Sequence, residues 1–455
     1  MNFKASKLTK YSVKRFTDIK QKCLDHTFFS WSAQKLIDPL VMTKADGHYF
    51  WDEQGNKYFD FNSGLMCNNY GFNHPTMKKI MKEQIDEFCY ASTSFATPIR
   101  AKASEAVASL MPGDLKKIFF TLGGAEANEN AIKFAKHYTK KNKIIARYKS
   151  YHGATLGAIS LTGDNRRWIN EPGMPGVLRT FDTYKYRCPI YRDGMTDNEY
   201  AEKLIEVLEY QIKFENPDDI AAIFIETVVG SNGLLIPPGN YMQLLRNLCD
   251  KYNILLVCDE VMCGFGRTGA TMAVNHWNIV PDMITSAKGL TGGHSPLGMV
   301  AVSSKIAAEF EKRPFMGGLT YSCIPICMAS AYASCKILKE ENIVENSNKQ
   351  GKLMNQLMNN LLNKHDCVGD VRSIGLFGGI ELVKNKKTKE PFVPYGKSNP
   401  EINQILGYMK KNGVYAINFH NVLFCNPPLT IKDDELKYVF NVIDEALNIG
   451  NKYCN

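Results

Sequence analysis

A lysine closes the apolar run Asp282-Met283-Ile284-Thr285-Ser286-Ala287-Lys288, and Gly289, Gly292 and Gly293 follow it directly. A long cation at the end of a buried strand, aimed into a flexible turn, is either paired or has its pKa pushed down. The second state is the one in which a lysine amine forms Schiff bases; a solvated lysine is the plainer alternative. Upstream, Ile254-Leu255-Leu256-Val257-Cys258 is another apolar run that stops on Asp259 and Glu260, before a glycine-rich segment from Gly264 to Gly269. Two parallel strands ending in an acid and a lysine bring both side chains to one crevice. In open α/β sheets the carboxyl edge is where ligands bind. Ile118 to Leu122, then Gly123-Gly124-Ala125, then Glu126 to Lys133 reads as strand, small-residue turn and helix. Amides at such a helix start cradle a phosphate, although a tight turn capped by Glu126 and Asn128 accounts for the same residues. Tyr151 follows an apolar run and offers either a stacking face for a flat heteroaromatic ring or an ordinary core tyrosine. Glu226 ends a further run, where a capping or ion-pair role is open.

Those residues need a sheet to position them. Tyr49-Phe50-Trp51-Asp52 and Tyr58-Phe59-Asp60-Phe61 flank a turn-forming segment and read as a hairpin. Met77, Ile80, Met81 and Ile85 have helical spacing over 75–88. From about residue 100 to 330, strand and helix patterns alternate, which predicts a mainly parallel sheet with helices on both faces. The expected strands are Lys117–Thr121, Lys143–Arg147, Ala221–Glu226, Ile254–Glu260, Met283–Lys288 and Met299–Ser303. Helical stretches over 329–341 and 348–362 lead into new strands at Leu376–Leu382 and near Val422 to Cys425, and a closing helix spans 433–449. The reading is α/β: a large domain over 61–330, and a smaller α+β domain built from 1–60 and 331–455. Residues 1–40 form an arm with a helix.

Composition removes several classes. Of 455 residues, 44% are hydrophobic and 22% charged, ordinary for a globular chain, and the net charge of +9 is spread over helix faces. No basic run is interleaved with aromatics, so no nucleic-acid partner is expected. Thirteen cysteines are dispersed and odd in number, with no CxxC pair, the pattern of reduced thiols in an intracellular protein. Histidines and cysteines lack metal-ligand spacing, and no apolar run approaches the roughly 18 residues of a membrane span. Met1 to Phe16 is basic but lacks the apolar stretch of a secretory signal. A cytoplasmic protein without metal is expected.

The stretch CDEVMCGFGRTG at 258–269, the AKGL of Ala287 to Leu290, FNSGLMCNNYGFNHP at 61–75 and NPPLTI at 426–431 together resemble the signatures of class III aminotransferases. These are pyridoxal-phosphate (PLP) enzymes of fold-type I, and the taurine/β-alanine (ω-amino acid)–pyruvate branch is the most similar. The resemblance implies that Lys288 carries PLP and moves the proton, and that Asp259 keeps the pyridine nitrogen protonated so that the ring withdraws electrons. It implies phosphate contacts at Gly124 and Ala125, where a Gly-Gly-Ala turn puts the weight on amides rather than hydroxyls. It sets Tyr151 and Val261 on opposite faces of the ring, and Glu226 and Met66 beside the substrate. Thr320, in Gly317-Gly318-Leu319-Thr320-Tyr321-Ser322, would reach the neighbouring subunit's phosphate, which implies an obligate homodimer. Two departures stand out. Cys323-Ile324-Pro325 replaces the usual Gly-His-Pro, and no arginine occurs after Arg372, although many relatives bind a carboxylate with one just before Pro-Pro-Leu. The expected reaction moves an amino group from an ω-amino acid or other primary amine to a 2-oxo acid. Pyruvate is the expected acceptor, since a dicarboxylate asks for a second cationic anchor. Aminomutase, racemase and decarboxylase chemistry would use the same lysine and acid. A dehydrogenase would need GxGxxG where residues 123–128 read Gly-Gly-Ala-Glu-Ala-Asn. A non-catalytic protein would have no need of Lys288, Asp259, Tyr151 and Thr320 together.

Overall fold

A computed structural model describes residues 13–397 and 400–454. Residues 1–12, most of the basic start, lie outside the described residues. At the centre is a seven-stranded sheet in the order Lys117–Thr121, Gly298–Val302, Met283–Ser286, Leu255–Asp259, Ile220–Glu226, Lys143–Arg147, Val177–Thr180. Gly298–Val302 runs antiparallel to both its neighbours, and all the remaining pairs are parallel. Every residue of Ile220–Glu226, Leu255–Asp259, Met283–Ser286 and Gly298–Val302 is buried. Strands covered on both faces read as unbroken apolar runs, which is why they stand out in the sequence. Ile223, Ile225, Leu256 and Cys258 face the larger apolar core, while Ala222, Phe224, Leu255 and Val257 face a second one.

Two smaller sheets flank this one. Met42–Asp46, Tyr49–Asp52 and Lys57–Asp60 form an antiparallel meander, and Val414–Tyr415 adds in parallel beside Lys57–Asp60, so one sheet draws on both chain ends. Val368–Ile374, Phe377–Asn385, Val422–Cys425 and Asn418–Phe419 make an antiparallel sheet, with Glu390–Pro391 paired to its second strand. Three of the observed strands longer than two residues were not anticipated. Met42–Asp46, Val177–Thr180 and Val368–Ile374 are short or only half-buried, so they carry neither an apolar run nor clean alternation. The strand expected to reach Lys288 stops at Ser286, because Lys288 adopts a φ of 39° and opens a single 3-10 turn, Lys288–Leu290. Among the described residues no helix is long and apolar enough to cross a membrane, no side-chain cluster could hold a metal ion, and the cysteines are free thiols, most of them buried.

Candidate active site

The turn that carries Lys288 is fixed from two sides. Ser334, on the helix Pro325–Glu340, donates to the Gly289 carbonyl at 2.8 Å. Asn69 presses so closely on Gly289 that a Cβ there would lie 2.5 Å from its Nδ2. Asn69 is in turn held by the fully buried Arg267, whose Nη2 donates to its Oδ1 at 3.0 Å. The motifs at 61–75, 258–269 and 287–290 therefore pack as one unit behind the lysine. Removal from water pushes the Lys288 pKa below the ordinary lysine value. Cys67, Asp259 and Glu226 oppose the shift, and the Arg166 guanidinium adds to it.

Asp259 ends its strand in register with Glu226 on one side and Thr285 on the other. Its Oδ1 accepts from the Val261 amide at 2.9 Å, and its Oδ2 from Asn128 Nδ2 and His152 Nδ1, both at 2.8 Å. A carboxylate only accepts, so His152 carries its proton on Nδ1. These donors fix the carboxylate's direction, and charge-assisted bonds of this kind are the stronger ones. The sequence reading assigned Asn128 no more than a cap and His152 nothing. The available signal was position: Asn128 lies one helical turn after Gly124, and His152 is the neighbour of Tyr151.

Glu226 combines two roles left open by the sequence. It lines the cavity beside Lys288, and it also accepts the Tyr151 amide at 3.0 Å and the Gly230 amide at 2.8 Å. Burial pushes its pKa up to about 7; His152 and the two amides work against that, while the Asp259 charge works with it.

The cavity, about 430 Å³, is lined by Gly124, Ala125, Tyr151, Asp259, Val261 and Lys288 among others. It begins at the helix Gly124–Thr139, whose first amides have no acceptor within the helix. Gly124 is needed there, because a Cβ would meet both Val261 methyl carbons at 2.9 Å. Gly153, at a φ of 133°, lets the loop after Tyr151 close on Ala125, where a Cβ would come within 2.5 Å. The Tyr151 ring has the Arg166 guanidinium 3.8 Å from its centre and the Trp31 ring nearly at right angles to it, the two ring centres 6.2 Å apart. Arg166 is held by Asp164 through Nε and Nη2, and by Ser231 at 2.8 Å. Its Nη1 has no acceptor among the described residues.

Two predicted positions are not brought to this cavity. Met66 is buried in the main core, because non-helical Gly64 and Leu65 and its own φ of 56° turn it inward; Cys67, the next residue, lines the cavity instead. Thr320 is exposed and does not line the cavity of its own protomer.

The family model for aminotransferase class-III matches residues 31–447. A taurine–pyruvate aminotransferase of Bilophila wadsworthia is 32% identical, covering 90% of this chain and 93% of its own. A putrescine–pyruvate aminotransferase of Pseudomonas aeruginosa is 31% identical, covering 90% of each. Among solved structures, the taurine:2-oxoglutarate aminotransferase of Bifidobacterium kashiwanohense, in complex with PLP and glutamate, superposes with a TM-score of 0.93. It is 35% identical and covers 96% of this chain and 98% of its own.

Proposed function

This chain belongs to the class III aminotransferases, fold-type I enzymes that work with pyridoxal phosphate, and on that premise we propose that its donor is an ω-amino acid of the β-alanine, taurine or 4-aminobutyrate type and its acceptor pyruvate. When bound, PLP supplies an aldehyde for the donor amine and a ring that draws electrons from the carbon beside it. Lys288 would hold the aldehyde through Nζ and would be the group that moves the proton. Its lowered pKa leaves more of the amine neutral at a given pH, the form that can accept. Asp259, oriented by Asn128, His152 and the Val261 amide, keeps the ring nitrogen protonated. The amides of Gly124 and Ala125 would hold the phosphate, and Tyr151 and Val261, both lining the cavity, would hold the ring between them. Support for the fit comes from the helix start: Gly124, Ala125 and Val261 line the same cavity as Asp259 and Lys288, and the close approach of Val261 to Gly124 leaves no room for a Cβ there. Thr320 completes the phosphate site of a second subunit in a homodimer.

The observation that carries the donor class is Arg166. With no arginine after Arg372, the acidic end of the substrate needs another partner. This guanidinium lies on the ring of Tyr151, which lines the cavity, and its Nη1 is unengaged among the described residues. An amine reacting at Lys288 and an acid at Arg166 describe a substrate with its two groups at opposite ends.

The test is product formation from β-alanine, taurine, 4-aminobutyrate and an acid-free alkylamine, each with pyruvate and with 2-oxoglutarate. Alanine should form fastest with the three acids. A rearranged, racemised or decarboxylated donor with no alanine would move the protein to another PLP reaction.

A further inference from the structure

Away from Lys288, a cavity of about 180 Å³ is walled by Lys149, Tyr184, Arg187, Glu381, Tyr395 and His420. It brings together donors whose hydrogen bonds are incompletely answered. The Lys149 ammonium lies 4.9 Å from the ring centre of Tyr184 and 5.5 Å from that of Tyr395, and among the described residues it makes no hydrogen bond or ion pair. Arg187 gives Nε to Glu381 at 2.7 Å and Nη1 to the Lys389 carbonyl, while its Nη2 is buried without a partner. His420 Nε2 is likewise buried and unpartnered. Of the acids whose charge reaches Lys149 and His420, none hydrogen-bonds to either. Glu381 already accepts from the Tyr184 hydroxyl, Arg187 and Arg372. Asp182 accepts the Tyr184 amide at 3.1 Å, and its charge acts on Lys149 without a hydrogen bond between them.

Arg187 Nη2 and His420 Nε2, buried and unpaired, cost free energy that an acceptor would recover, and the half-buried Lys149 adds a charge beside them. A carboxylate has two oxygens and about four lone-pair sites, enough for an ammonium, a guanidinium N–H and an imidazole N–H at once. Phe419 and Val422 complete the wall and suit a short apolar stem. At about 180 Å³ it is less than half the size of the cavity at Lys288 and suits a small ligand. We infer that this cavity is a second ligand site, distinct from the one at Lys288, and that it binds a small organic carboxylate through Lys149, Arg187 and His420. It lies directly behind the substrate anchor, since Asn232 on its wall donates to Asp164 at 2.8 Å, and Asp164 holds Arg166.

The experiment is calorimetric titration of butyrate, and separately of inorganic phosphate, into the PLP-loaded protein, its Lys149→Met variant and its Arg166→Lys variant. Butyrate should bind saturably to the parent and to Arg166→Lys, and at least ten-fold more weakly to Lys149→Met. Absence of saturable binding in the parent would overturn the site, as would binding lost in Arg166→Lys but kept in Lys149→Met. Phosphate binding more tightly than butyrate would overturn the ligand class. If Lys149→Met does not fold, the comparison of parent with Arg166→Lys decides whether a butyrate site exists apart from the anchor. A crystal of the parent grown with butyrate then places the ligand at Lys149 or excludes it.

Discussion

Arg166 and Lys149 are both cations on aromatic faces, but their surroundings give them different work. Asp164 and Ser231 hold the Arg166 fork, so only its outer nitrogen is left to meet a substrate acid. Arg166→Lys keeps a charge opposite the buried Asp164 and removes the planar fork, which a lysine does not replace. The loss of one charge-assisted hydrogen bond, about 1.5 kcal/mol, corresponds to roughly ten-fold in KM for β-alanine or taurine. An acid-free alkylamine should show no such rise. Steady-state kinetics on the two donor types checks this, and an equal rise for both would remove Arg166 from substrate recognition.

At the scale of elements, the strand Leu255–Asp259 and the residue after it show how alternation divides labour between adjacent acids. Asp259 points to the cavity. Glu260 points away and accepts the amide of Val274 at 2.8 Å, with that of Ala273 alongside, tying down the turn Ala273–Trp277. The facing helix start is as closely fitted. Gly124→Ala keeps a helical backbone but drives a methyl onto Val261, an overpacking worth about 1–3 kcal/mol. Cofactor affinity, read from the PLP absorbance on titration, should fall ten-fold or more, and Val261→Ala in the same chain should restore most of it. Unchanged affinity in Gly124→Ala would mean that Val261 gives way freely.

For the whole molecule, we infer two chains to a working unit, and within each chain a large part over 61–330 against a smaller one from 1–60 and 331–455. Thr320, exposed and away from its own cavity, motivates the first inference, and the sheet joining Lys57–Asp60 to Val414–Tyr415 the second. Thr320→Asp would set a carboxylate against the partner's phosphate, so that homodimer should lose cofactor. Refolding it together with Lys288→Ala should regain transamination, because each mixed dimer then has one site with both the lysine and the threonine intact. No recovery on mixing would place Thr320 outside the phosphate site.

Residue order alone determined the buried strands of the central sheet, the lysine and acid at their ends, and the glycine turn at the helix start. Each is a local pattern, set by apolar runs, charge at a strand end and turn chemistry, and those patterns read out along the chain. The half-buried strands Val177–Thr180 and Val368–Ile374 had no such pattern. Nor could order show that Asn128 and His152 converge on Asp259, or that Cys67 rather than Met66 reaches the cavity. Arg166 had no sequence signal either: Asp164 is two residues away, but Tyr151 and Ser231 come from separate loops. Only folding brings distant loops to the carboxyl edge of one sheet, and only there do hydrogen-bond direction and desolvation assign each side chain its role.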